Sequence, residues 1–436
     1  MSVAVEKNNF TKDLIQSIDP AQFKTAADQR KLALEKLIAI GLPESKSEEY
    51  KFTPITRLLS KQFEPNEIGR AYPSAANNLA ELMDEADRGH CVVFVNGAYD
   101  SKLSQLDNIA QVTIESLTDA LESHSALVID QLSRANESVD PFALLNNAQW
   151  QEGLFINVSR NSKVERPLVI YHLFDASNSK VAAHTRLFIN IETSAEFSVS
   201  EKTNSIGSHS IFHTFNEDII VNENASFKYT KIQNDPGRLI QVNNTTVQQH
   251  KSSRADTYTF TLNGKLIRNN LNILIDGEGC ESHFNGLYLL DGDTLADNHT
   301  TVDHKKPNSF SNELYKGLMD GKSKGIFNGK IYVRPHAQKT NAFQSNRNIL
   351  LSDTATINTK PQLEIWADDV KCSHGCTSGQ LDTEALFYLQ SRGIPKATAK
   401  AMLLYAFAGE VLETIQDEEL KVYLDNLVSA KLHKSF

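Results

Sequence analysis

The sequence predicts a mainly β protein in which a long β core lies between helical N-terminal and C-terminal regions. Three observations support this fold class. Apolar residues recur at helical spacing early in the chain, short alternating runs dominate residues 154–365, and helical spacing returns after Leu381. We therefore expect residues 1–140 to form a mainly helical region, residues 141–380 the β core, and residues 381–436 a helical appendage.

Composition and charge describe an ordinary globular protein. The chain has 436 residues, of which 40% are hydrophobic and 22% charged. A formal net charge of −10 argues against a general binder of nucleic acids or anionic membranes, since either would need a basic face. The sequence shows no signal-peptide pattern and no run near the roughly 18 apolar residues of a membrane span. Because four cysteines are too sparse for a disulfide framework, we expect a cytoplasmic protein.

The N-terminal region combines helical and strand patterns. Apolar residues recur at helical spacing over residues 21–40, and Gly41 supplies a stop. Residues 92–95, followed by Asn-Gly, predict a short strand that enters a turn. Residues 114–127 are predicted to be helical.

The β core reads as a long series of short strands separated by Asn, Gly, Asp and Ser. Several runs alternate strictly, as in residues 257–262, where every second residue is apolar. A fold with so many strands must pair or protect the edges of its sheets, and a sandwich, a barrel, a propeller or a stacked solenoid does so. Some polar residues fall within otherwise apolar strands, which favours a solenoid whose side chains stack in ladders: Asn190, Gln241, Asn269 and Asn272.

Helical signals return in the last part of the chain. Asp382 is a suitable N-cap for a helix over residues 383–392, which Gly393 would end. A second helix is expected over residues 396–407, and a third over residues 417–430. The second helix would place four residues on one apolar face: Ala399, Met402, Leu403 and Ala406. Because an appendage of about 50 residues is too small to fold alone, it should pack on the core or on a partner.

The sharpest chemical motif consists of Cys372, His374 and Cys376. At spacing i, i+2 and i+4 the three side chains share one face of an extended strand. Thiolate and imidazole ligands suit soft or borderline metals and iron–sulfur clusters. The motif therefore predicts a candidate metal or cluster site.

Geometry restricts how this motif could bind metal. On a strand the two cysteines lie about 13 Å apart, at roughly 3.3 Å per residue, whereas metal–sulfur bonds are about 2.3 Å long. A single ion could bind both thiolates only if Gly375 turned the chain. A site centred on His374 and completed by another chain therefore fits better than a private zinc site. Two buried cysteines beside a satisfied histidine are an equal alternative.

Further histidines in the β region carry a weaker signal. They are interpreted as surface or loop residues: His283, His299, His304 and His336. His299 could pair with Asp297, and His304 with Asp303, as carboxylate–imidazole pairs. No recognisable nucleophile accompanies them, so they do not predict a hydrolase.

Residues 317–323, Gly-Leu-Met-Asp-Gly-Lys-Ser, resemble a phosphate-binding loop. The spacing is one residue short of that motif, and the strand-to-helix context is missing. We interpret the segment as a turn. If the function involves ATP, another subunit would hydrolyse it, and this chain would bind no nucleotide itself.

Residues 363–375, Leu-Glu-Ile-Trp-Ala-Asp-Asp-Val-Lys-Cys-Ser-His-Gly, closely resemble the signature of the SufB/SufD family of iron–sulfur cluster assembly scaffold proteins, and of its SufD branch in particular. The resemblance is strong over residues 297–395 and looser from Asp140 onward. Before that it is limited to an entry motif over residues 41–53. Other family elements are Tyr315-Lys316-Gly317, Gly329-Lys330-Ile331, residues 337–340, Gln344 and residues 348–352.

The resemblance implies a fold and a function that spacing does not supply. The β core would be a right-handed parallel β-helix flanked by the helical regions. The chain would be a non-enzymatic scaffold of the SUF system that pairs with SufB through the β-helices and docks the SufC ATPase through its C-terminal helices. A transient iron–sulfur cluster would assemble at the SufB interface.

The resemblance also assigns candidate ligands. His374 occupies the position of a proposed ligand of the nascent cluster, and Cys372 is a second candidate. Cys376 is a weak candidate, because the family often has Ala there. It could be an extra sulfur ligand or a small core residue.

Alternative functions remain at this stage. A SufB-like paralogue is one, although this chain lacks the cysteine-rich N-terminal half of SufB and has Cys-Ser-His-Gly where SufB has a Glu-containing variant. A dedicated zinc-binding protein is another. A β-helix carbohydrate-active enzyme would need a constellation of acidic catalytic residues, which the sequence does not offer. The isolated chain could also pair with a second copy of itself.

Overall fold

The structure is a computed structural model that describes residues 2–435 apart from residues 24, 45, 71, 75, 77, 107–110 and 237. It confirms the predicted fold class. A parallel β-helix forms the core, and helices lie toward both ends of the chain. In the described part of the chain, no helix is long and apolar enough to cross a membrane.

The chain before the core contains helices and short strands. The helices are α1 (Ser2–Ser17), α2 (Ala27–Ile40), α3 (Ile55–Gln62), α4 (Leu117–Ser123), α5 (Ser125–Ala135) and α6 (Pro141–Gln149). The strands are β1 (His90–Val95), β2 (Ala98–Tyr99), β3 (Gln105–Leu106) and β4 (Val112–Ser116). The strand predicted at residues 92–95 is confirmed within β1. Gly41, with a φ of 69°, follows α2 as predicted, although α2 begins at Ala27 rather than at residue 21.

The helix predicted over residues 114–127 is wrong in its first part. Ile114 lies in β4 and pairs with Ile156 in an antiparallel ladder. Helix α4 begins only at Leu117. The run Val112-Thr113-Ile114 consists of β-branched residues, and these favour an extended backbone over a helix.

The core is built from coils that each contribute one strand to each of two facing sheets. Its strands are β5 (Glu152–Val158), β6 (Leu168–Ala176), β7 (Val181–Ile191), β8 (Glu196–Gly207), β9 (Ile211–Val221), β10 (Ser226–Asn234), β11 (Leu239–Gln249), β12 (Arg254–Asn263), β13 (Leu266–Ile275), β14 (Glu281–Leu290), β15 (Leu295–His304), β16 (Phe310–Met319), β17 (Lys324–Val333), β18 (Asn341–Leu350), β19 (Thr356–Ile365) and β20 (Lys371–Gly379). The even-numbered strands β6 to β20 form one parallel sheet, and the odd-numbered strands β5 to β19 form the other. β1 extends the even-numbered sheet beside β6, and β4 extends the odd-numbered sheet beside β5.

The coils stack in regular register. Leu266 pairs with Leu295, and Leu295 pairs with Lys324, a step of 29 residues each time. Because the strands are parallel and in register, paired side chains lie on the same face of the sheet. Side chains therefore align from coil to coil, both inside and outside the β-helix.

One turn of each coil places a residue in the left-handed conformation. The φ angles are 61° at Ser194, 59° at Asn224 and 61° at Asn308. Each such turn is held by the next coil: the Asn224 N–H donates to the Lys251 carbonyl at 2.9 Å. Asn tolerates this conformation better than most residues, which explains why Asn recurs between the strands.

Polar side chains form hydrogen-bonded ladders inside the coils. The Asn269 amide donates to Asn298 Oδ1 at 3.1 Å, while Asn269 Oδ1 accepts from Asn243 at 2.8 Å. Gln233 donates to Asn269 at 2.9 Å and to Gln241 at 3.2 Å. An amide can donate and accept at once, so stacked amides satisfy one another in a buried column. The predicted ladders between coils are confirmed for Asn269 and Gln241.

A buried ionic contact anchors the N-terminal region to the odd-numbered sheet. Nη1 of Arg268 on β13 donates to Asp297 Oδ2 at 2.6 Å and to the Glu49 carbonyl at 2.8 Å. The Thr53 hydroxyl donates to the same carboxylate. Burial alone would raise the pKa of Asp297, but the Arg268 charge lowers it well below its usual range. The contact joins the loop around residues 49–53 to two consecutive coils.

We expect Asp297→Ala to destabilise the fold by about 3–5 kcal/mol, because it leaves the buried Arg268 guanidinium without its carboxylate. Urea unfolding at neutral pH would measure the change. The matched control is Asp293→Ala. Asp293 pairs with Lys265 at the surface, where its side chain is 71% exposed, so the change should stay below about 1 kcal/mol. Equal losses in both variants would contradict the anchoring role.

The C-terminal helices are α7 (Thr383–Ser391), α8 (Lys396–Leu412) and α9 (Glu418–Ser435). The predicted cap is confirmed, since the Asp382 carboxylate accepts hydrogen bonds from two backbone N–H groups of the first turn. Gly393, with a φ of 87°, lies just after α7 as expected. Helices α8 and α9 pack on the even-numbered sheet.

The predicted apolar face of α8 is wrong for Met402 and Ala406, whereas Ala399 is buried and Leu403 is half-buried. Met402 is 46% exposed and Ala406 is also exposed. The helix is five residues longer than predicted. Four of its buried residues pack against α9 and the sheet: Leu404, Ala408, Val411 and Leu412. Helical spacing alone allowed either face, and packing against the coil surface decides between them.

Candidate functional site

Cys372, His374 and Cys376 lie on β20, the last strand of the even-numbered sheet. β20 pairs with β18, with His374 opposite Gln344 and Cys376 opposite Asn346. Both partners are buried, so the three candidate side chains lie on the column that faces the coil interior. No strand in the described part of the chain pairs with the other edge of β20. The motif therefore lies on the open end of the β-helix.

The three side chains differ in exposure because no further coil covers them. His374 and Cys376 are exposed, whereas Cys372 is half-buried and packs against Ala342 and Ala367. Burial raises the pKa of the Cys372 thiol. The alternative of two buried cysteines is therefore wrong for Cys376, and a core role for this residue does not hold. His374 supplies the nitrogen donor of the motif, and it is exposed.

The strand geometry keeps the two thiols apart. β20 runs as a continuous strand through Gly375, which makes no turn. Cys372 and Cys376 are thus separated by about 13 Å, at roughly 3.3 Å per residue. The Cys376 thiol donates to Thr359 Oγ1 on β19 at 2.9 Å. Among the described residues, no group of three His, Cys, Asp or Glu side chains is arranged to hold a metal ion. A complete metal site at β20 would need ligands from another chain.

His304 differs from its sequence interpretation. It is fully buried, so the surface interpretation is wrong for this residue. Its Nε2 lies 2.9 Å from Ser311 Oγ, inside the coil. The neighbouring Asp303 forms an ion pair with Arg334 at 2.7 Å, and this pair replaces the one suggested with His304. The alternating direction of side chains along a strand explains both results, since adjacent residues point to opposite faces.

The suggested pairing of His299 with Asp297 is confirmed, with Nε2 2.9 Å from Oδ1. It belongs to the anchor of the N-terminal region, because Nδ1 of His299 lies 3.4 Å from the Glu49 carboxylate. His283 is half-buried and His336 is exposed. None of these residues adjoins the β20 motif in sheet order.

The segment that resembled a phosphate-binding loop is a turn, as predicted. Gly317 lies within β16, and residues 320–323 connect β16 to β17. Gly321 has a φ of 64°, which suits a tight connection. A strand follows the turn, so no helix N-terminus is present to receive a phosphate.

Two buried residues lie beneath His374. Nε2 of Gln344 on β18 donates to Oε2 of Glu313 on β16 at 2.7 Å. Burial raises the pKa of Glu313 to about 7, against the opposing effect of the hydrogen bond from Gln344. Sequence reasoning found Gln344 only as a family element and missed Glu313. A carboxylate at an inward position of an alternating strand was the available signal, but only the register shows that it lies under Gln344.

We expect Glu313 to make the stability of the fold depend on pH between about 4.5 and 7. Its folded pKa of about 7 exceeds its ordinary value of 4.5, so the folded state keeps a proton that the unfolded state releases. The stabilisation is complete below pH 4.5 and is lost as the pH rises through 7. The 2.5-unit difference corresponds to about 3 kcal/mol.

Urea unfolding of the wild type and Glu313→Gln at about pH 4.5 and about pH 8 would measure this effect. The variant lacks the titrating group, so its stability should fall by about 3 kcal/mol less between the two conditions. Taking the difference between the two proteins cancels the contribution of every other titrating residue. Parallel pH dependences would show that Glu313 titrates normally.

A second candidate surface lies on the C-terminal helices. Phe387 and Tyr388 on α7 are 72% and 56% exposed, and no residue of α7 is buried. On the neighbouring α8, Met402 and Tyr405 are 46% and 39% exposed. Exposed aromatic residues and Met are typical of protein interfaces rather than of free surfaces.

Helix α8 also contacts the strands next to the β20 motif. The Glu410 carboxylate forms ion pairs with Lys316 on β16 and, at 3.1 Å, with Arg347 on β18. Nζ of Lys316 also donates to the Phe407 carbonyl at 2.9 Å. Because β18 carries Gln344 and pairs with β20, these ion pairs join α8 to the strand beside His374.

Known protein families match most of the chain. The family model described as "SUF system FeS cluster assembly, SufBD core domain" matches residues 173–407. The model described as "SufBD protein N-terminal region" matches residues 8–170.

Curated relatives match over similar lengths. A SufBD family iron–sulfur cluster assembly protein of Synechocystis is 30% identical over 413 residues, covering 93% of this chain and 90% of the relative. The iron–sulfur cluster assembly protein SufD of Escherichia coli is 31% identical over 394 residues, covering 89% of each chain. SufD of Bacillus subtilis is 26% identical over 339 residues, covering 77% of each chain.

Proposed function

Because this chain belongs to the SufBD family of iron–sulfur cluster assembly proteins and is homologous to SufD, we propose that it is a scaffold subunit of the SUF system and not an enzyme. It works in the cytoplasm in a complex with SufB and the SufC ATPase. It binds no nucleotide itself. Its contribution is to hold a nascent cluster and to couple that site to the movement of SufC.

The main observation that supports this proposal is the open end of the β-helix. β19 and β20 each pair with only one described strand, so each leaves a row of backbone N–H and C=O groups free. Free edges of this kind pair readily with another strand, and proteins normally protect them. Here the edges flank the exposed His374. We expect the β-helix of SufB to cover them, which would also bury the candidate ligands between two chains.

The candidate ligands have unequal parts in the shared site. His374 would supply an imidazole nitrogen directly, since it is exposed at the free end. Cys372 would need to lose its proton against the effect of burial, so it is a second ligand that depends on SufB. Cys376 is exposed but its thiol donates to Thr359, and it remains the weakest candidate. SufB would complete the ligand set, because one chain cannot bring the thiols together.

SufC would dock on the surface formed by α7 and α8. The exposed Phe387 and Tyr388 supply the apolar contact area that such an interface needs. ATP-driven closure of two SufC subunits would then displace the terminal helices. The ion pairs of Glu410 with Lys316 and Arg347 would pass that displacement to β16 and β18, and so to the interface around His374.

Co-expression with the cognate SufB and SufC tests the proposal. The expected product is a stable complex with one copy of this chain, one of SufB and two of SufC, measured by native mass and subunit ratio. A chain that purifies alone would contradict the scaffold role. Stoichiometric zinc in that lone chain, lost on Cys372→Ser, would instead support a zinc-binding protein. Turnover of acidic glycans would support a carbohydrate-active enzyme.

A further inference from the structure

A column of three inward-facing side chains leads from the coil interior to His374. Glu313 on β16 pairs in register with Gln344 on β18, and Gln344 pairs with His374 on β20. In-register parallel strands place these side chains one above another on the same face. Glu313 and Gln344 are 1% and 3% exposed, whereas His374 lies in the open. The column therefore connects a buried carboxyl to the exposed imidazole.

The amide of Gln344 has one defined orientation. Its Nε2 donates to Glu313 Oε2 at 2.7 Å, which turns its Oε1 away from the carboxylate. That Oε1 is buried and has no hydrogen-bond partner among the described residues. Gly329 on β17 faces the amide, and a Cβ there would lie 2.1 Å from Nε2. The amide thus fills the space that the glycine leaves, and it presents an acceptor that the chain itself does not use.

We propose that Gln344, oriented by Glu313, is a positioning residue: the exposed His374 ring turns inward, and the unpartnered Gln344 Oε1 accepts a hydrogen bond from one of its ring nitrogens, which selects the imidazole tautomer. The other ring nitrogen then keeps its lone pair free for the nascent cluster. Metal-bound histidines commonly have their second nitrogen held in this way. The role toward the cluster rests on the proposed function, whereas the tautomer preference belongs to this chain alone.

The carboxyl at position 313 is essential to this arrangement. Above its pKa of about 7 Glu313 is ionised and only accepts hydrogen bonds, so it then permits a single orientation of the Gln344 amide. A glutamine at that position could donate as well as accept, and both amide orientations would then be satisfied. Burial raises the pKa of Glu313 to about 7, which is a cost to stability that glutamine would not carry. The need to orient Gln344 explains why position 313 has a carboxyl and not an amide.

The tautomer can be read directly from the ring ¹⁵N shifts of His374 in the full-length chain, labelled on histidine and kept at about pH 8. The His374→Asn variant identifies the signals. We expect the wild type to hold one dominant tautomer. Glu313→Gln and Gln344→Leu should at least double the minor form. The control is Ser311→Ala, which removes a fully buried inward side chain from the same strand and should leave the ratio unchanged. An unchanged ratio in Glu313→Gln would overturn the inference.

Iron binding by the complex with SufB and SufC gives a second readout. Gln344→Leu should weaken the iron affinity by about 10–100-fold, the usual effect of losing a partner of a metal ligand. Wild-type affinity in that variant would also overturn the positioning role. Failure of the proposed function looks different. Normal iron binding by a His374→Ala complex would remove the ligand role of His374. The tautomer ratios measured for the isolated wild type, Glu313→Gln and Gln344→Leu chains would still stand.

Discussion

The His374→Ala variant should form the complex with SufB and SufC and yet assemble almost no cluster. The imidazole is exposed on the last strand, so its removal should change the free energy of unfolding by less than about 0.5 kcal/mol. Cys372 cannot replace it, because that thiol is half-buried and its pKa is raised. Loss of a direct ligand should lower the yield by on the order of 100-fold or more. Iron and acid-labile sulfide per complex after reconstitution would measure the yield.

The matched control for this experiment is Ser373→Ala. Ser373 is the exposed neighbour of His374 on the same strand, but alternation turns its side chain to the opposite face. It should assemble cluster as the wild type does. Equal yields in His374→Ala and Ser373→Ala would remove His374 from the ligand set, even if the subunits still assemble one to one with SufB.

The sequence predicts the core of the fold well because solenoid strands carry a local signal. In β12, for example, apolar residues alternate with polar ones, and the strand needs no distant information to be recognised. Asn residues at left-handed turns such as Asn224 mark the strand ends. The helix caps at Asp382 and Gly393 are local in the same way.

The errors lie where distant packing decides. The local pattern predicts a helix at Ile114, but its pairing with Ile156 makes it a strand residue. Helical spacing predicts Met402 on the buried face of α8, but Leu404 and Ala408 pack against the coil surface instead. In both cases the sequence allowed two local structures of similar quality, and contacts made by distant residues chose one.

The same reasoning applies to the site. The Cys372–His374–Cys376 motif is visible in a few consecutive residues, and strand alternation correctly places the three on one face. Glu313 lies 61 residues before His374, and it enters the column through steps of 31 and 30 residues. Those step lengths vary along the chain, since Leu266 and Leu295 differ by 29. Without a structure, the register that brings Glu313 beneath His374 cannot be deduced.

The double variant Phe387→Ala/Tyr388→Ala should abolish SufC binding while it leaves SufB binding and stability intact. Both side chains are more than half exposed and α7 contributes no buried residue, so the free energy of unfolding should change by less than about 0.5 kcal/mol. Two aromatic contacts of about 2 kcal/mol each would weaken SufC binding by about 1000-fold. Pull-down of SufC and titration calorimetry with the isolated chain would measure the loss.

The control for this variant is Val139→Ala. Val139 is an apolar residue of the N-terminal region that is 86% exposed, so it tests whether any exposed apolar side chain supports SufC binding. It should bind SufC normally. Truncation after Leu381 would be a poorer test, because α8 and α9 cover apolar side chains of the even-numbered sheet, and their removal would expose these to water. If the double variant bound SufC with wild-type affinity, SufC would have to dock elsewhere. SufC would then not displace α8, and the ion pair of Glu410 with Arg347 on β18 would transmit no movement of SufC.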